Sequence, residues 1–173
     1  MTLNNIMVDI ETIGSAPSGI IVSIAAVKFN FHNDDCEKFI VNCDVSSSKK
    51  LGMLMDASTI QWWATQPKSA RDAWMVNPQP ITKALTDFKE FVGYNWKDAV
   101  FWANGSQFDF SILNWSFNAT EIEPPWKYWN IRDARTAYSI FGLNLREFPR
   151  VGEYHNALDD CMTQIAALKS VLC

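Results

Sequence analysis

The chain has 173 residues, 48% of them hydrophobic and 20% charged, with a net charge of −4 at neutral pH. That balance excludes a disordered chain and suits one globular domain over residues 1–173, large enough to bury a core without disulfides or structural metal. The acidic sign argues against coating nucleic acid with a broad basic surface, but not against a small site that holds one strand end, where divalent cations offset carboxylates.

Segment 4–11 (NNIMVDIE) is a short apolar run ending in carboxylates, the pattern of a buried strand reaching an open edge. Residues 14–19 (GSAPSG) are turn material. Segment 20–31 reads as a second strand and 37–42 as a third, giving an antiparallel meander. Residues 46–50 are polar and read as a loop, with Lys49 and Lys50 solvated. Ser58 is placed to cap a short helix that carries Trp62 and Trp63 and stops before Pro67. A second short helix is expected over 70–76. Over 81–94 the apolar residues Ile81, Leu85, Phe88 and Val92 share one helical face. Segment 99–103 (AVFWA) reads as a buried strand and 109–118 as a helix after it. A last strand is expected over 128–131, then a helix ending before Gly142, and a closing helix over 157–172. Three strands followed by alternating strands and helices define an α/β fold: a mixed sheet, first antiparallel and then parallel, flanked by helices.

The N-terminus lacks the basic start and long apolar stretch of a signal peptide, and no apolar run approaches the ~20 residues that span a bilayer. Cys36, Cys43, Cys161 and Cys173 form no CxxC pair, and His32 before Cys36 completes no zinc pattern. Free thiols in a reducing cytoplasm are the simplest expectation.

Asp9 and Glu11 are two apart on a strand, so they project from one face. Carboxylates held together repel unless a cation sits between them, and Mg2+ or Mn2+ takes such oxygen ligands together with substrate phosphate. A strand simply running into solvent gives the same pattern. Asp109 falls in the first turn of its helix, where the helix dipole alone explains an acid. Asn104 and Gly105 before it are turn residues that can also let backbone approach a bound strand. In YHNALDD, Asp160 borders the apolar stripe of the last helix, formed by Leu158, Cys161, Ile165, Leu168 and Leu172, and so needs a partner or a metal. Asp159 groups with Thr163 and Ser170 on what reads as a solvent face. His155 lies in the preceding loop, free to swing over the same site.

Taken in order, VDIETIG, NGSQFDFSIL and HNALDD resemble the three motifs of the DEDDh 3′-to-5′ exonucleases of the ribonuclease-H-like superfamily. Asp9 and Glu11 match the first motif, Asp109 the second, and His155 and Asp160 the third. TIQWWATQPKSAR and NIRDART are similar to a branch containing T-even phage exodeoxyribonuclease and mycobacterial exoribonuclease-like proteins. The resemblance implies two Mg2+ or Mn2+ ions held by Asp9, Glu11 and Asp160, with Asp109 supporting the second. It further implies His155 as general base in the attack of water on the terminal phosphodiester, releasing a nucleoside 5′-monophosphate.

The expected substrate is a nucleic acid 3′ end, single-stranded DNA first and RNA as the alternative. A non-catalytic nucleic-acid-binding module on the same fold is the reading from outside enzymology, and an internal-cutting nuclease is disfavoured by His155. Trp62 and Trp63 point about 100° apart on a helix, so one can stack on a terminal base, although both can equally pack in the core. Arg146 and Arg150, in the loop leading to His155, can hold the scissile or next phosphate. Arg132 and Arg135 flank Asp133 and read as a structural ion-pair network. A homodimer is compatible with this reading, and the oligomeric state is left open.

Overall fold

A computed structural model describes residues 3–93 and 98–173 of the chain. Its centre is a five-stranded sheet in the order β3-β2-β1-β4-β5. Strands β1 (Asn5–Thr12), β2 (Ile21–Phe29) and β3 (Cys36–Asn42) form the expected antiparallel meander. Strand β4 (Val100–Ala103) then pairs parallel to β1, and β5 (Ile131–Asp133) parallel to β4. Strand β1 is therefore central, flanked by one antiparallel and one parallel neighbour.

Alternation along β1 sorts its side chains between two cores. Ile6, Val8 and Ile10 join one cluster, together with Leu85 and Phe88 of α4 (Ile81–Val92) and Phe110 and Phe117 of α5 (Ser106–Ala119). Met7 faces the other cluster, with Ala134 and Tyr138 of α6 (Ala134–Ile140) and Cys161 and Leu168 of α7 (Ala157–Leu172). Asp9 and Glu11, in phase with Met7, point to this second face. Every residue named for the apolar face of α4 is buried, while Tyr94 lies outside the described residues.

Local chemistry moves several boundaries. Residues 46–50 belong to a helix, α1 (Val45–Lys50), because the Asp44 carboxylate accepts from the Ser47 N–H at 2.7 Å and caps a segment with no apolar periodicity. Lys49 and Lys50 are solvated, but in the last turn of that helix. The cap of α2 (Ala57–Thr65) is Asp56, not Ser58; Asp56 accepts from the Thr59 N–H, and Ser58 only donates its hydroxyl to it. The second short helix, α3 (Lys68–Ala73), starts directly after Pro67, whose ring suits a helix entry. Tyr128–Asn130 is a 3-10 turn, and the strand expected there begins only at Ile131. The closing helix spans the residues its periodicity indicates.

All four cysteines are free thiols. Among the described residues, no helix is long and apolar enough to cross a membrane.

Candidate active site

The site lies where β1 ends. Between Glu11 and Thr12 the pairing with β2 slips by a bulge, a device that re-aims side chains at strand ends. Ligand oxygens of Asp9, Glu11 and Asp160 lie within 4.8 Å of one another. Asp160 comes from the first turn of α7, packed across β1 on the same face. Three hard oxygen donors at this spacing suit a divalent cation such as Mg2+ or Mn2+.

Burial and mutual repulsion make this cluster costly without positive charge. Burial first, then the charges of Asp109, Asp160 and Glu11, raise the Asp9 carboxyl well above its ordinary range. Burial, with Asp160 and Asp109, pushes Glu11 up to about 8, opposed by Arg150. Asp160 is also raised by burial, against the pull of Arg150 and His155. The donor set thus fits a metal: a bound cation supplies the charge that these carboxylates lack.

Asp109 is 5% exposed and accepts a hydrogen bond from the Ile10 backbone N–H at 3.3 Å. Burial raises its carboxyl to about 7. It stands outside the close trio of oxygens yet near enough to raise Asp9 and Glu11, and its contact is with the strand itself.

His155 sits in a left-handed conformation (φ 61°) just before the helix cap Asn156, whose side chain accepts from Leu158 N and Asp159 N. Its ring packs edge-on against Trp62 with centroids 4.7 Å apart. Burial lowers its pKa below the usual 6.5, and Arg150 adds to that while Asp160 opposes it. The loop carrying His155 is tied to α7. Glu153 N donates to Asp159 Oδ2 at 2.9 Å, and Val151 N to Thr163 Oγ1 at 3.0 Å. Asp159 and Thr163 therefore do not face solvent as expected; Thr163 is buried, and both receive the loop. Gly152 (φ 68°) is placed so that an added Cβ would lie 2.2 Å from the Asp159 carboxylate.

The two tryptophans divide the roles that the sequence left open. Asp56 anchors α2 to the strand end, donating its N–H to the Ile13 carbonyl and accepting from Ser15 N. Trp63, 4% exposed, donates Nε1–H to the Thr12 carbonyl at 2.8 Å and belongs to the core, which removes it as a stacking surface for substrate. Trp62, 41% exposed, lies beside His155 and is the one available to a base.

Arg150 does not point to an open phosphate site. Its Nη1 donates to Asp160 Oδ1 at 2.5 Å, its Nη2 to the Glu153 carbonyl, and its guanidinium lies over the Tyr154 ring. Arg146 and Asn104 line a cavity next to Asp160. Arg132 and Arg135 do not pair with Asp133: they donate to the carbonyls of Trp129, Ile131 and Asn104, while Asp133 caps α6 and also accepts from Ser106 N. A residue absent from the sequence reading is Gln164, 4% exposed, which donates Nε2–H to Asp9 Oδ1 at 2.8 Å. Its position, four residues after Asp160 on one helix face, is the signal that could have found it.

A mixed sheet flanked by helices, with clustered acids at the end of its central strand and a histidine beside them, defines a ribonuclease-H-like nuclease. Three solved structures share the fold: cell-death related nuclease 4 (CRN-4; TM-score 0.60, 14% identity, covering 96% of this chain and 62% of that one), the nuclease domain of 3′hExo, a DEDDh family member, bound to rAMP (0.56, 14%, 97% and 90%), and the RNase domain of yeast Pop2 (0.62, 9%, 97% and 76%). This chain thus spans less than two thirds of CRN-4. An exodeoxyribonuclease of Enterobacteria phage T4 is 25% identical over 202 aligned positions, covering 96% of this chain and 88% of that protein. The family model for the 3′-5′ exoribonuclease Rv2179c-like domain matches residues 4–172. The chain belongs to that family and is a 3′-5′ exonuclease of the DEDDh type, a kind of nuclease that works with divalent metal ions.

Proposed function

We propose that the chain removes nucleotides from the 3′ end of single-stranded DNA, releasing nucleoside 5′-monophosphates, with two Mg2+ or Mn2+ ions. The observation that carries this is the meeting of Asp9, Glu11 and Asp160 oxygens within 4.8 Å. These three would hold the metal, with Asp109, which accepts from the Ile10 N–H, supporting it. Bound divalent ions neutralise charge on the reacting phosphate and acidify the attacking water.

The remaining steps belong to the chain. Gln164 fixes the orientation of Asp9 through its 2.8 Å hydrogen bond. His155, whose pKa burial lowers, offers an imidazole nitrogen lone pair to take the proton from the water. The proton passes to the imidazole, the water oxygen bonds to phosphorus, and the bond to the 3′ oxygen of the preceding nucleotide breaks, that oxygen taking a proton from solvent to become the new 3′-hydroxyl. Trp62 offers its exposed ring to the terminal base.

The likeness to the T4 exodeoxyribonuclease along 96% of the chain supports DNA as substrate. RNA is the second reading, favoured by the exoribonuclease description of the matching family. Matched DNA and RNA oligonucleotides, digested side by side with Mg2+ or Mn2+ and analysed by mass, test both. A ladder of strands shortened from the 3′ end, with 5′-monophosphate products from DNA, is expected. Shortening of RNA alone reverses the sugar assignment, and cleavage of a closed circle removes the exonuclease reading.

A further inference from the structure

The chain is acidic overall and contains only five arginines. Three of them, Arg135, Arg146 and Arg150, line a single cavity of about 550 Å³ next to α6 and α7. Asp160 is the one carboxylate in the lining, and it is also part of the metal-binding trio, so cavity and trio are contiguous. Arg146 makes no side-chain hydrogen bond or ion pair among the described residues, and Arg135 donates Nη2–H to the Asn104 carbonyl, whereas Arg150 is held by Asp160 and the Glu153 carbonyl. Guanidinium groups with unused donors in a concave site call for acceptor oxygens, and phosphate matches their fork geometry. The exposed Tyr154 ring at the cavity wall adds a stacking surface.

Two separate concavities adjoin the trio. Glu11, Ser23 and His155 line a small recess of about 40 Å³, with the Trp62 ring packed on His155. The arginine cavity, which reaches the trio at Asp160, shares no lining residue with that recess. A strand whose scissile phosphate rests on the trio carries no further phosphate on its 3′ side but one per nucleotide on its 5′ side. The Trp62 and His155 rings suit the terminal nucleoside, and the cationic cavity suits the rest of the strand.

We propose that Arg135 and Arg146, in the cavity they line together with the Asp160-bound Arg150, seat the phosphates of the single strand 5′ to the bond being cut. This rests on the exonuclease reading above and adds the path of the strand to it. Binding is measured by fluorescence anisotropy with 5′-labelled deoxyoligonucleotides of two, four and eight nucleotides. Ca2+ replaces the working metal, and strand integrity is checked by mass. Affinity of the wild type should rise at least tenfold from dimer to octamer. Arg146→Met and Arg135→Met should each remove several-fold of that gain and lower the slope of log K against log salt by about 0.7. Arg146→Lys, which keeps the charge, should retain the slope. Thermal unfolding checks the fold of each variant, and because Arg146 has no side-chain partner among the described residues its variant decides the case if Arg135→Met unfolds.

Unchanged length dependence and salt slope in Arg146→Met overturn the proposal. It is equally overturned if a deoxynucleoside 5′-monophosphate competes as tightly as the octamer, which marks a site for free nucleotide. Shortening of the octamer by wild type with Mn2+ is scored separately. If it fails while arginine-dependent binding persists, the phosphate seat stands and the exonuclease reading falls.

Discussion

Glu11→Gln tests the electrostatics of the cluster without changing its shape. In the metal-free protein the folded state holds the Glu11 carboxyl at about 8 instead of 4.5, so between these pH values it binds more protons than the unfolded chain. Stability contributed by the protonated form is fully present below 4.5 and is lost as pH rises through about 8. At 1.36 kcal/mol per pH unit the full displacement corresponds to about 5 kcal/mol. Solvent reaches part of the side chain, and three other carboxylates share the repulsion, so about 2 kcal/mol is the expected effect. For a chain of this length that is about 4–8 °C in Tm. Calorimetry in EDTA should therefore find the variant and wild type alike at pH 5, and the variant more stable by that amount at pH 8.5. His155 titrates in both proteins and cancels in the difference. Excess Mn2+ at pH 8.5 should raise the wild-type Tm and shift the variant far less. Equal pH dependence in the two proteins would refute the idea that carboxylate crowding, relieved by a cation, dominates this site.

His155→Ala should slow strand trimming by about 10²–10⁴-fold, measured on labelled oligonucleotides, while the Mn2+-induced thermal shift persists, since His155 is outside the carboxylate trio. Trp63→Ala should destabilise the fold by about 3–5 kcal/mol in denaturant titrations, because it empties a core position and orphans the Thr12 carbonyl. Trp62→Ala should leave the fold intact and weaken substrate binding by about 1–3 kcal/mol, read as KM. Gly152→Ala should lower kcat with little change in metal affinity, because a Cβ there collides with Asp159, whose carboxylate holds the loop that carries His155.

The meeting of Asp9, Glu11 and Asp160 was legible because the order of the motifs along the chain, and their places at strand ends and helix starts, carry information that no single residue does. The α7 boundaries were legible for a different reason: its apolar stripe is regular over its whole length. What escaped was set by groups that sequence spacing does not couple. Helix α1 depends on one Asp44 side chain, not on periodicity. The face of α7 bearing Asp159 and Thr163 looks solvated on a wheel, yet it is covered by a loop whose path depends on left-handed residues at 152 and 155. Arg150 was recognised as cationic and near the site, but its bond to Asp160 arises only when that loop folds back on the helix. Trp63 and Trp62 are indistinguishable by composition, and only the carbonyl of Thr12 separates them.

Asp9 and Glu11 stand near the start of the chain and Asp160 near its far end, joined only through the docking of α7 across the central strand. A cation held by these three carboxylates would staple together two segments far apart in sequence, so that its binding and the seating of α7 on the sheet would strengthen each other.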